Sequence, residues 1–196
     1  MKKVLIINGH QRYEGIAEGK LTKILIDEAV EVFNEKEFEV QHSVVESDYK
    51  INDEVEKFAW ADYILFQYPV YWMGVPWITK KYIDEIFSAG YGKVTYVNDG
   101  RSSKDSTKRY GSGGLMQGKK YMLSFTYNCP SSEFSNTDGF FDGLSLDEAN
   151  IATHKTFQFC GAAALESYAM HDIFKSELDV KKELLDFKKT LKNNFN

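Results

Sequence analysis

The stretch Ala61-Asp62-Tyr63-Ile64-Leu65-Phe66-Gln67-Tyr68-Pro69-Val70-Tyr71-Trp72-Met73-Gly74-Val75-Pro76-Trp77 decides the architecture. Residues 61–66 are apolar apart from Asp62 and show no alternation, so a strand is expected over 62–67. A strand apolar on both faces is what a parallel sheet covered by helices on both sides demands. Pro69, Gly74 and Pro76 then break the pattern. A helix is expected over 77–89, because Pro76 stands where a helical N–H is not needed. Ile78, Tyr82, Ile83, Ile86 and Phe87 supply its apolar face.

The same unit recurs on either side. Strands are expected at 3–8, 38–45 and 120–126, with a last one over 163–170. Helices are expected at 19–34, 53–60, 146–159 and 177–193. Residues 90–118 are the least regular part, with a turn signal at Asn98-Asp99-Gly100 and a short strand expected at 93–97. An excursion of that length in a compact domain usually carries function or a subunit contact. The connections are long enough for right-handed parallel crossovers. The expected fold is α/β: one domain over 1–196, a flavodoxin-like three-layer sandwich with a parallel five-stranded sheet in the order 2-1-3-4-5.

Composition narrows the partners. Asp and Glu number 29 against 24 Lys and Arg, a net charge of -5 that gives no general attraction for nucleic acid or acidic membranes. The opening Lys2-Lys3-Val4-Leu5-Ile6-Ile7 is cut short by Asn8-Gly9-His10, too early for an export signal. No run has the length of an integral membrane segment, so a cytoplasmic location is expected. Two cysteines, Cys129 and Cys160, make neither a disulfide framework nor a cysteine-based metal site. The histidines lack His-x-x-x-His spacing, and no metal is expected. Gly-x-Ser-x-Gly is absent, and Ser131, Ser132 and Cys129 have no legible His/Asp partners, so hydrolase chemistry is unsupported.

In open α/β sheets, ligands bind beyond the carboxyl ends of the strands. Three such ends carry candidate residues. Pro69, Val70, Tyr71, Trp72, Met73 and Gly74 form a loop suited to a flat, conjugated ligand such as an isoalloxazine ring. Thr126, Tyr127 and Asn128 end another strand and offer hydrogen bonds to ring oxygens and nitrogens. The first loop, with His10, Arg12, Ala17, Gly19, Lys20 and Leu21, leads into a helix whose N-terminal amides suit a phosphate or pyrophosphate. It is neither a Walker sequence nor G-x-G-x-x-G. Taken singly, each loop also reads as an ordinary turn; their convergence favours a site. The run Tyr110-Gly111-Ser112-Gly113-Gly114 lacks the strand that a phosphate loop follows, and reads as a tightly turning stretch.

The 67–77 loop, Asp99-Gly100-Arg101 and the block Tyr110-Gly111-Ser112-Gly113-Gly114-Leu115-Met116-Gln117-Gly118-Lys119-Lys120-Tyr121-Met122 together closely resemble the flavodoxin-like NAD(P)H:quinone oxidoreductases, over nearly the whole chain. The resemblance implies a homodimer with one FAD per site at the subunit interface, NADPH as the preferred donor with NADH possible, and small quinones as acceptors. It implies two-electron (hydride) reduction by a ping-pong mechanism. Tyr71, Trp72 and Tyr127 would shape the stacking cavity, with Tyr127 offered as a proton or hydrogen-bond donor to the quinone. One departure stands out. Where relatives tend to have Ser-Asn-Gly, this chain has Ala17-Glu18-Gly19, which removes a hydroxyl and brings in a carboxylate; Lys20 or Arg12 would compensate. Arg101, Lys104, Lys108 and Arg109 are candidates for the extra phosphate of NADPH, or form a solvated loop. The alternatives are an FMN- or FAD-dependent azo- or nitro-reductase and a flavodoxin-like electron carrier.

Overall fold

The structure, a computed structural model, describes residues 1–101, 105–175 and 177–196. In chain order it forms β1 (Lys3–Asn8), α1 (Lys20–Glu35), β2 (Glu39–Val44), α2 (Ile51–Trp60), β3 (Tyr63–Pro69), α3 (Trp77–Ala89) and β4 (Lys120–Thr126). Then follow α4 (Leu146–Ala149), α5 (Ile151–Phe159), β5 (Ala163–Ala164), β6 (Tyr168–Met170) and α6 (Val180–Asn194). Every strand pairing is parallel, and the order is β2-β1-β3-β4-β5 with β6 also on β4.

Side chains alternate across β1 and so divide the core in two. Leu5 and Ile7, with Ile64, Phe66 and Tyr68 of β3, pack under Phe58, Tyr82, Ile86 and Phe157 from α2, α3 and α5. Val4 and Ile6, with Leu65 and Met122, pack on the other face against Leu25 and Phe33 of α1 and Phe187 and Leu191 of α6. Full burial of one such side chain stabilises by about 1.5–3 kcal/mol. Among the polar groups buried with them, the Glu54 carboxylate accepts hydrogen bonds from Tyr82 Oη (2.7 Å), Lys57 Nζ (2.6 Å) and Ser43 Oγ. Paired this fully, a buried carboxylate is tolerated, and it ties α2 to β2 and α3.

Three expectations need correction. The last strand is not continuous over 163–170: Tyr121 pairs with Ala164 and Ser124 with Tyr168, so this chain spends four steps where β4 spends three. The extra residue bulges the edge and splits it into β5 and β6. The helix expected over 146–159 breaks at Asn150, whose side chain turns inward and donates to Leu146 O and Tyr127 Oη, both at 2.8 Å. The strand expected at 93–97 does not form; only an isolated antiparallel bridge joins Tyr96 to Gly114. Thr95 is held instead by its hydroxyl, which donates to Phe87 O at 2.8 Å. Among the described residues, no helix is long and apolar enough to cross a membrane.

Candidate functional site at the carboxyl edge of the sheet

The loops after β1, β3, β4 and β6 all leave the same edge and enclose a cavity of about 310 Å³. His10, Ala17, Gly19, Lys20, Leu21, Pro69, Val70, Tyr71, Thr126 and Asn128 line it, as the sequence led one to expect. Ile16, Glu18, Thr22, Ile173 and Phe174 line it as well. Ile173 and Phe174 were missed because only three strand ends were weighed. They follow β6, and the rule that ligands sit beyond strand ends applies there too.

The first loop is built for close approach. Gly9 donates to Gln67 O at 2.8 Å, and a Cβ on it would meet Tyr68 Cβ at 2.9 Å. The Asn8 side chain accepts from His10 N, which turns the His10 ring towards the cavity wall. Burial holds the His10 pKa below its ordinary value, with the Glu46 charge opposing. Gly19 begins α1 in the left-handed region, φ 78°, and no side chain caps the helix. The first-turn amides, with their positive potential, are left for an anion. A Cβ at Gly19 would lie 3.3 Å from His10 Nδ1.

Arg12 does not line the cavity. Its Nε donates to Glu18 Oε2 at 2.8 Å, and the other Glu18 oxygen accepts from Gly15 N at 2.8 Å. Those two bonds, first Gly15 and then Arg12, hold the Glu18 carboxyl below the usual carboxylate range. Glu18 is thus folded onto its own loop and engages Arg12, one of the two cations expected to compensate for it; Lys20, the other, lines the cavity.

Trp72 and Met73 stand outside the cavity lining on a projecting turn. Tyr71 N donates to Gly74 O (2.9 Å) and Gly74 N to Tyr71 O (3.2 Å). Both central residues have positive φ, 50° and 65°, the signature of a type I′ turn that normally takes Asn and Gly. Bulky residues held there cost of order 1 kcal/mol or more each. Trp72 is 97% exposed. Among the described residues, neither the Trp72 nor the Met73 amide donates a hydrogen bond. Tyr71 itself is fixed: its hydroxyl donates to Gln11 O at 2.9 Å. Burial, then Tyr13 and Glu46, push its pKa up to about 12.

Tyr127 must be corrected as a donor to a ligand. Its side chain is 4% exposed, stacks on His171 and bonds to Asn150, and it does not reach the cavity. Its backbone N–H is spent on Met170 O at 2.8 Å. Thr126 and Asn128, one residue to either side, face the cavity as strand alternation requires. Lys104 lies outside the described residues. Arg101 bonds to Asp99 through Nε at 3.3 Å and lies over Tyr110, and Arg109 lines a different cleft.

These features fit a flavin. An uncapped helix start with a cleared glycine suits a phosphate group. An apolar wall of Val70, Ile173 and Phe174 suits a flat ring, and two unpaired amides on the 71–74 turn suit its polar edge. Among the described residues, no group of three His, Cys, Asp or Glu side chains is placed to hold a metal ion.

The sequence profile described as "Flavodoxin-like fold" matches residues 2–194. A Schizosaccharomyces pombe protein of unassigned activity is 42% identical over 174 residues, covering 89% of this chain and 88% of its own. The NADPH:quinone oxidoreductase MdaB of Haemophilus influenzae is 38% identical over 192 residues, 98% of each chain. A crystal structure from Klebsiella pneumoniae superposes with a TM-score of 0.76 at 22% identity, covering 98% of this chain and 83% of that one.

Proposed function

The chain belongs to the flavodoxin-like family of NAD(P)H:quinone oxidoreductases, and on that footing we propose that it is an FAD-dependent quinone reductase that prefers NADPH. Flavin-dependent NAD(P)H oxidoreductase activity goes with the family. FAD, the donor preference and the two-electron ping-pong course are the finer reading, and the resemblance of the ring loop and the glycine-rich block supports them. The observation that carries the reading is the single cavity joining the uncapped start of α1 to the Pro69–Tyr71 wall beside the left-handed Trp72–Met73 turn.

In this proposal the α1 amides, Gly19 and Lys20 hold the phosphates, and His10 closes the cavity behind them. Val70, Ile173 and Phe174 exclude water from one side. Thr126, Asn128 and the Trp72 and Met73 amides orient the ring. Tyr71 fixes the wall through its hydroxyl, which donates to Gln11 O. When bound, the flavin supplies the two-electron chemistry, taking hydride from a nicotinamide and passing it to a quinone. The exposed Trp72 supports a homodimer in which a second copy completes the site, in the cytoplasm.

Two measurements test this. Mass spectrometry of the flavin released on denaturation should give FAD; FMN would move the chain towards the azo- and nitro-reductases. In anaerobic stopped-flow, NADPH should bleach the flavin band and benzoquinone should restore it. No bleaching of stoichiometrically loaded protein would replace the reductase by an electron carrier.

A further inference from the structure

Both ends of the cavity are tied to one helix. α3 starts at Trp77, directly after the loop that carries Pro69–Gly74. Thr79, in its first turn, is completely buried. A helical threonine commonly returns its hydroxyl to the carbonyl four residues back. Thr79 sends its hydroxyl across to the first loop, where it donates to Gly9 O at 2.6 Å. Its methyl is wedged there as well: a Cβ on Gly9 would lie 3.1 Å from Thr79 Cγ2. Both branches of the side chain are in use. Serine would leave a gap, and valine would leave a buried carbonyl unpaired.

The peptide that joins Gly9 to His10 is therefore held at both polar atoms. Its oxygen accepts from Thr79, and its nitrogen donates to Asn8 Oδ1 at 3.0 Å. Gly9 N is fixed in turn on Gln67 O. Two residues on, Gln11 O accepts from Tyr71 Oη. The orientation passes outward through the His10 ring, whose Nδ1 would lie 3.3 Å from a Cβ at Gly19. Gly19 opens α1, where the phosphates are placed. A continuous chain of contacts thus runs from α3 through Gly9 and His10 to the start of α1.

We propose that Thr79 is a positioning residue for the flavin phosphates. It sets the Gly9–His10 peptide, and through the His10 ring it sets the phosphate end of the cavity against the helix that follows the ring loop. Tyr71 makes a second tie between the same two loops. One flavin spans both ends, so a fixed separation spares it the work of ordering them. Loosening the tie weakens a ligand that uses both ends and spares one that uses only the ring end. The role rests on the flavin reading of the cavity.

The test measures dissociation constants of the full-length protein for FAD, FMN and riboflavin, by flavin fluorescence. Riboflavin carries the ring without a phosphate. In Thr79→Val, FAD and FMN are expected to bind about tenfold more weakly, and riboflavin within about twofold of the unaltered protein. Thr79→Ser keeps the hydroxyl and should restore most of the loss. Tyr71→Phe leaves α3 untouched and should show the same selectivity for phosphate on a smaller scale. A general loss of stability would weaken all three flavins alike. Equal weakening of the three, or a serine variant no better than valine, overturns the role of Thr79 and leaves the flavin reading standing. Unaltered protein that binds none of the three overturns the flavin reading, and this role with it.

Discussion

The Arg12 guanidinium and the Glu18 carboxylate hold each other at 2.8 Å across the mouth of the first loop. The pair cancels a charge that a phosphate would otherwise meet. Glu18→Gln should therefore release Arg12 and tighten flavin binding, most visibly at low salt. Arg12→Gln should weaken it only slightly, because that charge is already engaged. Flavin dissociation constants at two ionic strengths check both; an Arg12 variant as damaging as loss of the helix start would refute the idea.

His10 makes the flavin-free protein acid-sensitive in a defined window. Its folded pKa lies below the ordinary 6.5, chiefly through burial. The unfolded chain thus takes up a proton that the folded one refuses. Stability from this source is full above about pH 6.5 and is lost as pH falls towards the folded value. His42 contributes with the same sign, by burial and then Lys57. Denaturant melts at about pH 7.5 and about pH 5.5 should show the loss, and His10→Gln should remove part of it. A phosphate against His10 would favour its charged form, so the NMR-detected His10 pKa should rise when flavin binds.

The 71–74 turn trades stability for a displayed ring. Trp72→Asn places a residue that tolerates positive φ where an indole now stands exposed. Thermal denaturation should show the flavin-free variant stabilised by about 0.5–1 kcal/mol, with quinone turnover reduced. A destabilised variant would mean that the indole packs against something in solution.

Tyr127→Phe separates structure from chemistry. The hydroxyl it removes is an acceptor for Asn150 inside the α4–α5 junction, so stability should fall by about 1 kcal/mol. Quinone turnover should not change. A large fall in kcat with unaltered stability would restore a chemical role to Tyr127.

The fold was legible because parallel strands covered on both faces have few other readings, as 61–66 shows. The cavity was legible wherever a strand end was followed by punctuating residues, as at Pro69 and Gly9. What escaped depended on side-chain direction. Tyr127 looks like Thr126 and Asn128 in sequence, but strand alternation sends it the other way. Asn150 reads as helix interior until its amide finds Leu146 and Tyr127. The bulge after Ala164 follows from pairing with β4, and nothing local in Leu165-Glu166-Ser167 announces it.

That bulge has a consequence for how molecules meet. An approaching chain that sought to extend the sheet beyond β5 would find two residues in register, an offset, and then three more. Fibrous association needs a long, straight row of unpaired backbone groups. The split edge never offers one, and its offset carries the exposed Glu166, so this side of the sheet resists recruitment into aggregates.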